Sequence, residues 1–461
     1  MSQLNNVLKS IDDGLPTALE RLFDLLRIES ISTDSAYKEN CAEAADWLSK
    51  ELNEIGFKSR ICKTTGHPMV LAHYHEVKDA PHVLFYGHYD VQPVDPLELW
   101  DRSPFDPKII EREDGTSEIY GRGSGDDKGQ LMTFIEACRA WISQTGSLPC
   151  NVTIMFEGEE ESGSPSLLPF LDKFKDELTA DFALVCDTSM WDRETPAIAT
   201  ALRGNMGEEI TIEAASRDLH SGYYGSAAAN PIHILSKILA DLRDENGRIL
   251  LDNFYDDVPE IPDDILAQWG ELGFSEDEFL GDVGLSVPAG EKGRSVMEQT
   301  WTRPTAEVNG IWGGYTGEGF KTVIPSQAHA KISFRLVGQQ DPDKIRKTFR
   351  AFVEARLPKD CTVTFKSHGG SPAVHLDYNM PELQKAAKAL SDEWSRETAL
   401  VAMGGSIPVV GDFKRKLGMD SLLIGFGLAD DRIHSPNEKY ELTSFHKGSR
   451  SWARILLALA S

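Results

Sequence analysis

The sequence has no long apolar run and no closely spaced cysteine pair. No stretch approaches the ~20 apolar residues of a membrane span, and residues 1–16 contain no apolar segment of the signal-peptide type. The six cysteines are scattered without a CxxC spacing, which argues against a zinc ribbon or a disulfide framework. We therefore expect a cytoplasmic protein whose cysteines are reduced.

Positive charge is also scarce. The formal net charge is −26, and such a chain repels nucleic-acid phosphates and anionic lipid head groups. The composition thus predicts neither nucleic-acid nor membrane partners. Acidity alone does not identify a substrate, because it can serve solubility only.

The sequence does contain apolar strands that end in histidine or carboxylate. In the first of them, residues 83–85 are followed by His88 and Asp90. Side chains two residues apart in a strand point to the same side, so these two groups share the face that opens where the strand stops. A histidine held by a carboxylate is a common way to build a metal ligand, although a single pair can also be structural.

Two later strands repeat this arrangement. Residues 152–156 run directly into Glu160 and Glu161, and residues 182–185 lead to Asp187. A run of glutamates is often only a solvated surface, but its position after an apolar strand favours a site. Because ligands of α/β sheets bind beyond the carboxyl ends of the strands, we expect these side chains to converge.

Two further segments supply candidate ligands. Residues 121–129 are rich in glycine and carry Asp126 and Asp127. A phosphate-binding loop is the competing interpretation, but the Walker spacing is absent and adjacent carboxylates suit a cation better. Residues 422–427 form another apolar strand, which leads to His434.

The candidate metal ligands combine two imidazoles with three carboxylates: His88, Asp126, Glu161, Asp187 and His434. This set suits zinc, manganese or cobalt, whereas a structural zinc site would favour cysteine. It is larger than a single tetrahedral ion needs. A two-metal centre with one shared carboxylate would use all five groups.

The order of the predicted elements indicates an α/β protein in which a mixed, largely parallel sheet is flanked by helices. Apolar spacing predicts an amphipathic helix over residues 17–28. Between residues 204 and 375, two strand-helix-strand halves indicate a small inserted α+β domain. We therefore expect a main domain formed by residues 1–203 and 376–461.

Seven stretches of the chain, taken together, resemble a known family. They are residues 87–93, 120–129, 157–164, 218–222, 321–325, 404–408 and 434–439. The family is that of the di-metal exopeptidases, which includes aminoacylases, succinyl-diaminopimelate desuccinylase and dipeptidases. The sequence is most similar to the branch of the carnosine and cytosolic non-specific dipeptidases.

The resemblance assigns the metal ligands. It implies that Asp126 bridges two divalent ions, with Zn²⁺ favoured and Mn²⁺ as the alternative. One ion would also bind His88 and Asp187, and the other would bind Glu161 and His434.

It also assigns the groups around the ligands. Asp90 would orient His88, and Glu160 would act as the general base. The glutamate would take a proton from the water that the ions share and return it to the leaving amine. Asp127 stands where close relatives often have asparagine, and its extra charge bears on metal affinity or metal choice in a direction that the sequence leaves open.

For the inserted domain, the resemblance implies a lid and a dimer surface. In a homodimer, His220 would act in trans and stabilise the oxyanion in the other subunit's active site. On its residues alone, His220 is better explained as a polar loop histidine, and the resemblance reverses this preference. Arg335 would grip the substrate's terminal carboxylate, with help from Ser406 and Gly405.

The expected activity is hydrolysis of the amide bond of a dipeptide or a similar N-acyl amino acid with a free carboxylate. N-acyl or N-carbamoyl amino acids are the alternative substrates within the family. A non-catalytic metal-binding scaffold is the remote alternative. It is disfavoured because a scaffold would need neither Glu160 nor Asp90.

Overall fold

The protein is described by a computed structural model, which covers residues 3–405 and 407–461. The chain divides into two compact units. The first comprises residues 1–200, 376–401 and 412–461, and the second comprises residues 201–375 and 402–411. The domain limits expected from the sequence stay a prediction.

The strands, in chain order, are β1 Lys58–Cys62, β2 Met69–Tyr74, β3 His82–His88, β4 Lys108–Glu111, β5 Ser117–Tyr120, β6 Asn151–Glu157, β7 Phe182–Val185, β8 Ala197–Leu202, β9 Gly204–Glu213, β10 Leu219–His220, β11 Thr305–Gly313, β12 Val323–Ile324, β13 Gln327–Leu336, β14 Thr362–Ser371, β15 Val374–His375, β16 Ala399–Met403, β17 Ser421–Leu423 and β18 Lys439–Glu441.

The α-helices are α1 Gln3–Leu26, α2 Lys38–Glu54, α3 Lys128–Thr145, α4 Leu167–Lys173, α5 Lys175–Leu178, α6 Ser221–Tyr224, α7 Pro231–Ala240, α8 Asp263–Glu271, α9 Glu276–Gly281, α10 Val296–Trp301, α11 Pro342–Glu354, α12 Pro381–Trp394, α13 Pro408–Asp412 and α14 Leu442–Leu459. Among the residues that the structure describes, none of these helices is long and apolar enough to cross a bilayer.

The main sheet of the first unit is mixed. Its strands follow the order β1-β2-β6-β3-β7-β17-β8. The four central strands β6, β3, β7 and β17 are parallel, whereas β1, β2 and β8 join in antiparallel fashion. The predicted α/β class with a mixed sheet is confirmed. Because β6, β3 and β7 are parallel neighbours, their carboxyl ends open at one edge of the sheet.

Helices α1, α3 and α14 pack against one another in the first unit. The ring of Phe85 on β3 stacks on Phe134 of α3 at 3.7 Å between centroids and meets Trp452 of α14 edge-on at 5.5 Å. Helix α1 extends well beyond the predicted range toward the N-terminus and runs through Pro16. The reason is that Val7, Leu8 and Ile11 continue its buried face.

The second unit contains an antiparallel sheet of order β11-β13-β9-β14. Alternate residues of β9 and β13 are buried, as expected of a sheet with one covered face. Helices α7 and α11 contact this sheet. The apolar core that results includes Ile210, Ile332, Phe334 and Phe349.

Candidate metal centre

Three neighbouring strands deliver candidate ligands to one edge of the main sheet. In the β3–β6 pairing, His88 stands opposite Glu157, the last residue of β6. Strand β7 ends at Val185, close before Asp187. The turn after β6 carries Glu160 and Glu161. The convergence expected from the strand ends is therefore present in the first unit.

Asp126 lies between two histidines and directs one carboxylate oxygen at each. Its Oδ1 is 3.0 Å from Nε2 of His88, and its Oδ2 is 3.0 Å from Nε2 of His434. Two groups of potential ligands share this aspartate. The first contains His88 and Asp187, the second contains Glu161 and His434, and within each group the ligand atoms lie within 4.8 Å of one another.

The protonation of His88 indicates what this geometry fits. Its Nδ1 lies 3.1 Å from the main-chain oxygen of Asp90, a contact that requires Nδ1 to donate. Burial opposes a charge on the ring, but the contacts with Asp126 and Asp90 raise the pKa of His88 well above its ordinary value. Nε2 of His88 then donates to Oδ1 of Asp126 at 3.0 Å, and Oδ2 of Asp187 lies 4.0 Å away. A metal ion can replace this proton, because it binds the imidazole nitrogen and the carboxylate oxygens together. The site therefore fits a metal ion.

The charges of the cluster support this conclusion. Burial and the nearby charge of Asp126 raise the pKa of Asp187 to about 7. Contacts with Asp126 and Glu161 raise the pKa of His434 to about 10. The carboxylates thus hold more negative charge than the protein's own groups neutralise. Two divalent cations with histidine and carboxylate ligands would balance it.

Asp90 contacts the turn that follows β6. Its Oδ1 accepts a hydrogen bond from the amide of Glu160 at 3.2 Å, and its Oδ2 accepts one from the amide of Glu161 at 3.0 Å. The Ser32 hydroxyl donates to Oδ2 at 2.6 Å. The carboxylate of Asp90 is 3.5 Å from Nδ1 of His88. It therefore lies against both glutamates as well as the histidine.

Glu160 is half-buried near the ligands. Burial raises its pKa above the ordinary value, although the charge of His88 opposes the rise. A carboxylate with raised proton affinity is better suited to proton transfer near neutral pH than a solvated one. The neighbouring Glu161 is oriented by Gln92, whose Nε2 donates to Oε2 of Glu161 at 2.6 Å.

Glu438 was not identified as a site residue from the sequence. It is fully buried, and its Oε1 accepts hydrogen bonds from the amides of Gly125 at 2.9 Å and Asp126 at 3.1 Å. Its Oε2 accepts from the amide of Gly123 at 3.0 Å and from Arg122 at 2.7 Å. Glu438 thereby connects the loop of Asp126 to the segment of His434. Its position in the segment 434–439 was the only signal in the sequence.

Asp127 contacts the backbone of His88 and a buried thiol. Its Oδ2 accepts a hydrogen bond from the amide of His88 at 3.1 Å, and the Cys186 thiol lies 3.3 Å from the same oxygen. Burial raises the pKa of Asp127 well above the ordinary value.

The adjacent α3 begins very close to this loop, since a Cβ on Gly129 would lie 1.9 Å from the carbonyl oxygen of Ser124. Only glycine permits that approach.

His220 lies in the second unit, at the end of the short strand β10. Its Nδ1 accepts a hydrogen bond from the amide of Gly222 at 2.9 Å, so a neutral ring carries its proton on Nε2. The side chain is exposed and meets the ring of Tyr223 at 5.0 Å.

Arg335 and Gly405 also lie in the second unit, whereas Ser406 falls outside the described residues. Within the described part of the chain, the Arg335 guanidinium has no hydrogen bond or ion pair. Arg203 is nearby, since burial and the charge of Arg335 lower the pKa of Arg203 to about 10. Arg203 donates through its amide to the carbonyl of Gly405 at 3.2 Å and through Nε to that of Gly404 at 3.0 Å.

An α/β sheet with histidine and carboxylate groups gathered at its strand ends is an arrangement typical of metal-dependent enzymes. Comparison with known proteins identifies the family of the chain. Residues 84–458 match peptidase family M20/M25/M40. The Cys-Gly metallodipeptidase DUG1 of Candida albicans is 30% identical over 470 residues, which cover 97% of this chain and 96% of that protein.

Two further relatives agree with this assignment. The human Beta-Ala-His dipeptidase is 28% identical over 85% of this chain and 78% of its own length. The crystal structure of an M20 family metallo-carboxypeptidase, Sso-CP2 of Sulfolobus solfataricus, has a TM-score of 0.76 and 30% identity, with 96% of this chain and 99% of that one covered. The chain belongs to peptidase family M20/M25/M40. It is a metallopeptidase, as the sequence predicted.

Proposed function

We propose that this protein hydrolyses the amide bond of dipeptides at a two-metal centre. The observation that carries the proposal is the position of Asp126, whose two oxygens each lie 3.0 Å from a different histidine. One carboxylate thus serves two ligand groups. The named activities of the relatives, two dipeptidases and a carboxypeptidase, support a small peptide with a free carboxylate as the substrate.

His88, Asp126 and Asp187 would hold one divalent ion. Asp126, Glu161 and His434 would hold the other. Zn²⁺ is the favoured ion because both groups mix imidazole with carboxylate, and Mn²⁺ is the alternative. When bound, the ions supply Lewis-acid activation of the scissile carbonyl and of the attacking water.

Glu160 is the proposed general base. Its raised pKa, caused first by burial, suits a group that takes a proton from water near neutral pH. The same carboxyl group then returns the proton to the leaving amine. Asp90 supports this role, because its carboxylate accepts the amide hydrogen of Glu160 and holds the turn on which the glutamate lies.

For the substrate's carboxylate we propose Arg335 as the main ligand, with Gly405 and Ser406 assisting. In support, the Arg335 guanidinium has no acidic neighbour in ion-pair contact among the described residues, and Arg203 adds a second cation to the same environment. A carboxylate can accept two parallel hydrogen bonds from one guanidinium.

We further propose that the protein is a cytoplasmic homodimer in which residues 204–375 form a lid and dimer domain. The proposed trans role of His220 is supported by its exposure and by its Nε2, which in the neutral ring is free to donate to an oxyanion. The cytoplasm is supported by the six cysteines, all of which are buried as free thiols.

The activity is tested with a panel of dipeptides and N-acyl amino acids, with the bound metal measured in the same samples. Glu160→Gln should bind both ions and lose about 10²–10⁴-fold in kcat, the range for removal of a general base. Glu161→Gln, the matched control on the next residue, should instead lose metal. Full turnover by Glu160→Gln would exclude the proposed base, and cleavage of N-acyl amino acids alone would exclude the dipeptidase assignment.

The trans role is tested by mixing two inactive variants. His220→Ala and Glu160→Gln would place their defects in different subunits of each active site, so heterodimers should recover part of the activity. Absence of recovery after confirmed subunit exchange would contradict the role of His220.

A further inference from the structure

Three histidines surround one threonine at the edge of the main sheet opposite the metal centre. His82 begins β3, whereas His88 ends it, so the two positions are about 20 Å apart along the strand. His73 on β2 is opposite Thr153 on β6, and His75 follows two residues later on the same side. The imidazoles therefore converge from the strands on either side of β6.

The closest atoms of this cluster form a nearly equilateral triangle. Nε2 of His75 lies 3.1 Å from Nε2 of His82, and these nitrogens lie 3.1 Å and 2.8 Å from Oγ1 of Thr153. A single ion with metal–nitrogen distances of ~2.0–2.1 Å separates adjacent ligand atoms by about 2.9–3.4 Å. The three distances between these atoms are close to the distances between adjacent ligand atoms around one such ion.

Hydrogen bonds explain the contacts of Thr153 but not the third edge of the triangle. Nε2 of His73 faces Glu177, so Nδ1 of His73 can accept the Thr153 proton at 3.0 Å, and Oγ1 can accept from the other two nitrogens. The 3.1 Å contact between Nε2 of His75 and Nε2 of His82 is then left without a proton of its own. Burial lowers the pKa of all three imidazoles, and that of His82 falls to about 4. They are therefore neutral near pH 7, the form in which histidine binds metal.

We propose that His75 and His82, together with the Thr153 hydroxyl, bind a divalent transition-metal ion of the zinc type at a site separate from the catalytic centre. Imidazole ligands select Zn²⁺, Ni²⁺ or Cu²⁺ over Mg²⁺ and Ca²⁺. Thr153 is buried and His75 is exposed, so solvent completes the shell on the outer side. His73 positions the hydroxyl through Nδ1, while its Nε2 lies 3.3 Å from Oε2 of Glu177.

The site is weaker than the catalytic one. Among the described residues, groups of three or more closely spaced histidine, cysteine or carboxylate ligands occur only around Asp126. Glu177 is not free to join, since Arg60 donates to it at 2.6 Å. An ion here would connect the end of β2 to the start of β3.

The test uses enzyme loaded with two equivalents of Zn²⁺ and freed of excess metal, then dialysed against Zn²⁺ at micromolar concentration. Wild type should take up a third equivalent, and Cu²⁺ should bind there more tightly than Zn²⁺. His82→Ala should weaken this uptake by more than about 100-fold, the upper limit for loss of a group that only supports a ligand. Peptidase activity at two equivalents should stay unchanged.

His446→Ala is the matched control, because this histidine lies in the same unit and hydrogen-bonds to Asp12 outside the cluster. It should keep the third equivalent. If His82→Ala fails to fold, the exposed His75→Ala decides the result. A third equivalent retained by His75→Ala, or no third equivalent in wild type, would overturn the proposal.

Discussion

Replacement of Glu438 by glutamine tests whether the metal centre depends on the group that holds the loop of Asp126. The carboxylate accepts four hydrogen bonds, two on each oxygen, from Arg122 and from the amides of Gly123, Gly125 and Asp126. Glutamine keeps one acceptor and places an amide donor where the other was. Two of the four hydrogen bonds are therefore lost. The two N–H groups that donated them then face the NH₂ group of the glutamine, which is itself a donor.

The structure allows the size of the effect to be estimated. Two hydrogen bonds to a charged acceptor at about 1.5–3 kcal/mol each give a loss of about 3–6 kcal/mol. Burial raises the pKa of Glu438 to about 7, so removal of the charge recovers part of this cost. We expect the free energy of unfolding to fall by about 3 kcal/mol. Because Asp126 loses its support, metal affinity should fall by about 10–100-fold.

Glu136→Gln supplies a matched control. Glu136 is buried in the same unit and accepts two hydrogen bonds from Arg21, at 2.8 Å and 2.6 Å, but it does not contact the loop of Asp126. Both variants should lose stability in urea unfolding. Only Glu438→Gln should lose affinity in a competition titration with a metal indicator. Equal metal affinities in the two variants would refute the reasoning.

Three further outcomes are expected. Asp90→Asn should lower kcat by about 10–100-fold while both ions remain bound at saturating metal, and loss of metal in proportion to activity would contradict this. Removal of metal with a chelator should abolish activity and Zn²⁺ or Mn²⁺ should restore it, whereas a chelator-resistant, metal-free enzyme would contradict the two-metal centre. In chelator, the difference in free energy of unfolding between wild type and His82→Asn should decrease as the pH falls from 6.5 to about 4, because the unfolded chain binds a proton that folded His82 does not. The His82 contribution is at most about 3 kcal/mol, reduced by partial exposure, and His82→Asn should remove it while His446→Asn does not.

The grouping of the five candidate ligands could be predicted because each of them follows a recognisable feature. His88, Glu161 and Asp187 come after apolar strands, and parallel strands bring such positions to one edge of a sheet. Asp126 stands in a glycine-rich loop whose density of glycine is unusual. These signals are local, so a single sequence contains them.

The supporting groups could not be predicted in the same way. Glu438 contacts residues 123–126, which are distant in sequence, and no local pattern shows which backbone amides a buried carboxylate will accept. The proximity of Arg203 to Arg335 was missed for a similar reason. Arg203 lies between β8 and β9, whereas Arg335 lies in β13, far along the sequence. The start of α1 was also missed, because Pro16 and a polar composition concealed its buried positions.

Asp126 brings together ligands from distant parts of the sequence, so the two ligand groups cannot form at the same time during synthesis. Its two oxygens serve a histidine from the early part of the sequence and one from the late part, His88 and His434. During synthesis, the segment with Asp126 leaves the ribosome long before His434. A nascent or truncated chain can therefore assemble only one of the two ligand groups. Peptide hydrolysis would begin only after the last part of the protein has folded against the first.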